Sequence, residues 1–165
     1  MYYKIEVVDK PGIFDAIGQG VSRDIIDLGI NSVKKVKFIQ VYILEGNLAE
    51  GQVESICQEL LTDKVAQDYK ILSKDAAYPI APDAAQKRVS AYPIRLDAAQ
   101  QVVEVAYNPG VMDPVEASVL KGIQDLGISG VESVKTAKKY ILYGKFSQTQ
   151  LKTISEKLLY NKLIQ

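Results

Sequence analysis

Twenty lysines and arginines, twenty aspartates and glutamates, one cysteine and no histidine are what this 165-residue chain has for chemistry. Without histidine there is no Ser-His-Asp or Cys-His nucleophile system and no zinc site with an imidazole ligand. The side chain most used for proton transfer near neutral pH is also missing. One cysteine allows no internal disulfide and no thiolate cluster. The formal net charge is zero, so the basic surplus that a nucleic-acid or anionic-membrane role needs is absent. These counts point away from a self-sufficient catalyst, and no cofactor or metal is expected.

Three groups of residues remain candidates. Pro-Gly-x-x-Asp occurs at 11–15 and again at 109–113. A helix N-terminus there could hold an anion. However, Asp15 and Asp113 stand where an N-cap belongs, and a carboxylate repels an incoming anion, so both are read as structural helix caps. Gly18-Gln19-Gly20 lies inside a helical pattern without the third glycine of a dinucleotide fingerprint, and no phosphate loop occurs. Lys138, Lys139 and Tyr140, with Tyr42 in the matching place, are candidate partner contacts, since tyrosine and basic groups suit interfaces. The alternative is a lysine-protected strand edge with cross-strand tyrosine packing. Cys57 falls on an apolar helical face and reads as a small filler.

The elements that position these residues come in duplicate. With an offset of 98 and no gap, 24 of 64 aligned residues are identical between 4–67 and 102–165. Each copy opens with a β-rich segment, Lys4–Val8 or Val102–Ala106, followed by the Pro-Gly turn. A helix comes next, with Ile17, Val21, Ile25 and Leu28 on one face, or Val115, Val119, Ile123 and Leu126. The second copy has the stronger start, with Asp113 at the N-cap, Pro114 in the first helical position and Glu116 as a capping-box acid. Val33–Leu44 and Val131–Leu142 contain no Gly, Pro, Asn or Asp, so each predicts one long, bent or bulged strand rather than a hairpin. A second helix carries Val53, Ile56, Leu60 and Leu61, or Leu151, Ile154, Leu158 and Leu159, and Ser147 with Gln150 forms a capping box in the second copy. Asp68–Ser73 closes the first copy. The second reaches Gln165 where its closing strand should begin, so either something else supplies that strand or the chain is an excerpt of a longer protein; the excerpt is the expectation.

Residues 75–100 repeat Ala-Tyr-Pro-Ile and Asp-Ala-Ala and read as a connector between unit 1 (1–74) and unit 2 (101–165). Unit 1 carries 9 basic and 11 acidic side chains and unit 2 carries 8 and 6, a mild asymmetry of −2 against +2 that only weakly favours units facing each other. Modules of about 65 residues sit near the lower size limit for a stable core, so the expectation is a fused, pseudo-twofold pair. MYYKIEVV at the start lacks the basic stretch and apolar core of a signal peptide, and the apolar runs are too short to span a membrane. A cytoplasmic location follows as an expectation.

The repeated pattern resembles the PurS family, the small subunit of phosphoribosylformylglycinamidine synthase. The second copy carries this through Val102–Ala106, Pro109-Gly110-Val111-Met112-Asp113-Pro114, Leu126-Gly127, Val131-Glu132-Ser133-Val134, Lys139-Tyr140 and Leu158-Leu159-Tyr160-Asn161. The first carries it through Lys10-Pro11-Gly12-Ile13-Phe14-Asp15, Gly18, Val21, Cys57-Gln58-Glu59-Leu60-Leu61 and Asp68-Tyr69. The family pattern Asp-Pro-x-Gly is split here, the first copy keeping the glycine and the second the proline. A tandem pair is also similar to the amino-terminal region of large PurL-type synthase chains, most clearly in Tyr140–Gly144 and Leu159–Gln165.

The resemblance implies an α+β fold of two tandem, ferredoxin-like-related units, each strand-helix-long strand-helix-strand. It implies a non-catalytic assembly module of an ATP- and glutamine-using ligase in purine biosynthesis. Its partners would be a PurL-type synthetase and a PurQ-type glutaminase, in cis or in trans, bridged so that ammonia passes between them. It assigns no catalytic residue, implies no nucleic-acid or membrane partner, and leaves a homo-oligomer open. The alternative is a tandem amino-acid sensor of the ACT type, whose opening resembles Asp9-Lys10-Pro11-Gly12-Ile13-Phe14 followed by Gly29-Ile30-Asn31. Against it, the spacing from Pro11 to Gly29 is about one helical turn too long.

Overall fold

The structure, a computed structural model, describes residues 1–72 and 100–165. The expected connector, apart from Gln100, and Ser73 of the expected closing strand lie outside the described residues. The first copy runs β1 (Tyr2–Asp9), α1 (Ala16–Asp27), β2 (Val33–Gly46), α2 (Glu50–Ile56) and β3 (Gln67–Ile71). The second runs β4 (Gln100–Ala106), α3 (Glu116–Asp125), β5 (Val131–Gly144) and α4 (Gln148–Ile154). This is the expected α+β order. Both long strands are single elements of 14 residues, as their lack of turn residues predicts. Each ends on a glycine because another chain segment lies against it. A Cβ on Gly46 would strike the Gly130 carbonyl, and one on Gly144 the Ser32 carbonyl.

The helix starts differ from expectation. α1, with the poorer capping sequence, begins directly after Asp15, whose carboxylate accepts the Gly18 N–H at 2.7 Å. α3, with the better one, begins only at Glu116 with Val115 at its cap, and Pro114 and Val115 form a turn instead. The cause is space. Gly18 is buried, and a Cβ there would lie 2.5 Å from the Val36 carbonyl oxygen and against the Asp15 carboxylate. The matching residue in the second copy is Glu116, which has a Cβ, so the chain opens into a turn before it coils. Ile17 and Val115, expected on the buried face, are 50% and 38% exposed. Ile25, Val119 and Ile123 carry that face.

α2 and α4 each end in one π-helical turn, Cys57–Leu61 and Ser155–Leu159. The wider turn sets residue i+5 under residue i. Leu61 therefore lies below Ile56 in the core, and Leu60, expected there, is partly exposed. The Ser147–Gln150 capping box is present, with reciprocal bonds of 2.9 and 3.2 Å.

The five described strands order as β3-β1-β2-β5-β4. β1 pairs antiparallel with β2, Tyr2 opposite Glu45 through Val7 opposite Gln40, and with β3, Ile5 opposite Ile71 through Asp9 opposite Gln67. Two compact units result, and each draws on both sequence copies. The first comprises 1–13, 39–72 and 110–137, so α3 packs there against the π-helical end of α2. Its core includes Tyr3, Ile5, Leu44, Ile56, Cys57 and Ile123. The second comprises 14–38, 100–109 and 138–165, where α1 packs against the π-helical end of α4. Ile25, Val36, Val105, Leu142 and Ile154 are in its core. At roughly 1.5–3 kcal/mol for each fully buried large aliphatic side chain, these clusters dominate the stabilisation of each unit.

Candidate partner surface

Asp15 and Asp113 reach beyond their helices. Asp15 Oδ2 accepts the backbone N–H of Phe38 at 2.8 Å, and Asp113 Oδ2 accepts that of Thr136 at 2.6 Å. The Thr136 hydroxyl donates to the same oxygen at 2.8 Å, and the other Asp113 oxygen accepts the Val115 N–H at 2.9 Å. Phe38 and Thr136 are equivalent residues midway along the two long strands. A strand N–H that bonds a side chain is taken out of the sheet ladder, so each aspartate anchors a helix start to a long strand. Asp15 caps α1. Asp113 caps the turn before α3 rather than the helix itself. Neither arrangement leaves the carboxylate open to a substrate.

The basic-aromatic candidates are split by burial. Lys138 is exposed, Lys139 is fully buried, Tyr140 is buried and Tyr42 is half-buried. Lys139 has a polar partner and occupies the place of Val41 in the first copy, which is equally buried. Tyr140 packs in the core of the second unit, its ring 5.6 Å from that of Phe38 at 56°. Tyr42 packs against the core of the first unit. Burial raises the pKa of both tyrosines, and the Asp113 charge adds to the effect at Tyr42. Only Lys138 of the four is presented outward.

Cys57 is buried, and that burial, with the Glu54 charge, pushes its thiol up to about 12. It is the filler its position suggests and not a nucleophile at neutral pH. Glu45 accepts hydrogen bonds from the Tyr2 hydroxyl at 2.8 Å and the Ser133 hydroxyl at 3.0 Å, which hold its carboxyl below its ordinary value. Among the described residues, no three Cys, Asp or Glu side chains converge as a metal site. No helix among them is long and apolar enough to cross a membrane. A shallow groove of about 220 Å³ beside β3 contains Lys10 and Lys64. Lys10 bonds the Lys64 carbonyl and Lys64 pairs with Glu59, both at 2.6 Å.

Sequence reasoning passed over the exposed apolar residues. Phe14 and its equivalent Met112 are 66% and 86% exposed, and Val65 and its equivalent Leu163 are both 85% exposed. The available signal was a large apolar residue repeated inside a turn, off the helical face. Both copies present apolar side chains at the same points, the kind of surface that protein contacts use.

Comparison with known proteins gives a match to the family model PurS, described as phosphoribosylformylglycinamidine (FGAM) synthase, over residues 2–75 and 100–165. The PurS subunit of that synthase from Methanocaldococcus jannaschii is 36% identical over an alignment of 77 residues that covers 42% of this chain and 92% of the relative. A crystal structure of M. jannaschii PurS, a subunit of formylglycinamide ribonucleotide amidotransferase in purine biosynthesis, is 27% identical with a TM-score of 0.43. It covers 47% of this chain and 100% of its own. A structure of B. subtilis PurS is 24% identical with a TM-score of 0.42, covering 46% and 100%.

Proposed function

Because this chain belongs to the PurS family of FGAM synthase, a family of purine biosynthesis, we propose that it is a non-catalytic assembly module of that ligase. In this reading it bridges an ATP-using synthetase and a glutaminase in the cytoplasm and supports passage of ammonia from one to the other. The observation that carries the reading is the family match over both copies, which leaves only the connector region unmatched. The absence of histidine suits it, because the chain then lacks the side chain most used for proton transfer near neutral pH. Two further features suit a docking role: the apolar residues repeated on the surface and the outward Lys138.

The alternative of an amino-acid sensor is not favoured by the family match. Co-elution tests the proposal: the chain should elute with the synthetase or the glutaminase as one complex. Elution apart from both, together with stabilisation by a free amino acid in a thermal-shift series, would replace it with the sensor.

A further inference from the structure

The two long strands share an irregularity near their starts. Val33 and Val36 both enter the core of the second unit, and Val131 and Val134 both pack into that of the first. A regular strand alternates faces with period two, so a spacing of three marks a bulge whose two middle residues turn away from the core. Those residues are Lys34 and Lys35 in β2, and Glu132 and Ser133 in β5. Lys34, Lys35 and Glu132 are exposed, and Ser133 is half-buried.

The β5 bulge is used inside its own unit. The Ser133 hydroxyl donates to one Glu45 oxygen at 3.0 Å and the Tyr2 hydroxyl to the other at 2.8 Å, while the Lys135 charge also favours the ionised form. A carboxylate therefore sits among two hydroxyls and a lysine. At the equivalent positions around the β2 bulge the chemistry is reversed. Lys34 stands for Glu132, Lys35 for Ser133 and Tyr143 for Glu45, while Lys37 keeps the basic residue of Lys135. Two acids and one base become three bases and no acid. Among the described residues, no acid pairs with Lys34, Lys35 or Lys37. Three like charges within four positions repel one another, so an anion brought to them from outside is favoured.

We propose that the β2 bulge, with Lys34, Lys35 and Lys37, is a docking site for an acidic segment of a partner polypeptide. The segment supplies from outside the carboxylate that Glu45 supplies to the β5 bulge from within. It carries at least two Asp or Glu side chains, because a single carboxylate matches only one of the three lysines. A nucleic acid fits the patch less well, since the chain as a whole has no positive surplus to hold a phosphate backbone. The partner's identity rests on the assembly reading: the segment belongs to the synthetase or to the glutaminase.

Association kinetics of the full chain with the synthetase and with the glutaminase test it. Lys34→Glu combined with Lys35→Glu should slow association with one of them by at least about tenfold at about 50 mM salt. Dissociation should change by less than about threefold, since exposed charges act mainly on encounter. At about 0.5 M salt the difference should largely vanish, because screening then confines each charge to a few ångströms. Lys34→Gln combined with Lys35→Gln should slow association in the same direction by less, and it decides the matter if the reversed variant fails to fold. Lys121→Glu combined with Lys157→Glu changes net charge equally at two exposed lysines elsewhere and should alter association by less than about threefold. Equal slowing by both reversals, or none by the first, overturns the docking site and leaves the assembly reading standing. Binding of the parent chain to neither component overturns both.

Discussion

Asp113 takes two hydrogen bonds from Thr136 on one carboxylate oxygen, at 2.6 Å from the backbone and 2.8 Å from the hydroxyl. Both residues are buried. The bond crosses from the start of α3 to the middle of β5 and meets a backbone N–H that a side chain, not a neighbouring strand, satisfies. Asp113→Ala leaves that N–H without its acceptor, at a cost of about 1–3 kcal/mol. Asp15→Ala, at a half-buried carboxylate with no hydroxyl bond, should cost less. Urea denaturation of the two variants measures the difference, and equal midpoints would contradict the ranking.

Gly18 and Gly20 sit two residues apart in α1 and should respond to alanine with opposite signs. Helix propensity alone favours alanine at both by up to about 1 kcal/mol. Gly20 has open space where a Cβ would stand, so Gly20→Ala should stabilise. Gly18 has the Val36 carbonyl oxygen 2.5 Å from that point, so Gly18→Ala should destabilise by about 1–3 kcal/mol. Thermal unfolding of both variants decides this, and a gain at Gly18 would show that α1 does not press on β2 as described.

Stability should weaken at both ends of the pH range through Glu45 and Tyr2. The Tyr2 and Ser133 hydroxyls lower the Glu45 pKa, so its contribution is complete above the unfolded value of about 4.3. It is lost as pH falls through the lower folded value. The Tyr2 pKa is raised, first by its bond to Glu45, so that contribution is complete below about pH 10 and lost as pH climbs through the higher folded value. Glu45→Gln should flatten both limbs in a stability-pH profile. A profile unchanged from the parent would mean that these bonds do not persist in solution.

Cys57 should resist thiol reagents at pH 8 until the chain unfolds, because burial raises its pKa to about 12 and excludes the reagent. Labelling by a chromogenic disulfide should follow the rate of opening rather than reagent concentration. Rapid labelling of the native chain would contradict the core placement of α2.

The 98-residue repeat made element order and the two long strands legible, because strand breakers are absent between Val33 and Leu44 and between Val131 and Leu142. How the elements group into compact units was not legible. α1 and α3 have nearly the same apolar spacing, so periodicity cannot say whether a first helix meets the second helix of its own copy or of the other. Lys139 misled for a related reason: a lysine reads as surface, yet it fills the buried slot that Val41 takes in the first copy. The start of α3 was misplaced because the space around position 18, and hence the cost of Glu116 there, is a tertiary fact. The candidate surface was legible at Lys138 and not at Phe14 or Met112, since their exposure follows from turn geometry.

The central claim is that this chain couples a glutaminase to a synthetase without catalysing either step. The most direct measurement compares FGAM formation by the two enzymes with glutamine and with ammonium as nitrogen donor, each with and without the chain. The account predicts that omitting it reduces the glutamine-dependent rate by at least about tenfold and leaves the ammonium-dependent rate within about twofold. Equal glutamine-dependent rates with and without the chain, or turnover by the chain alone, would contradict it.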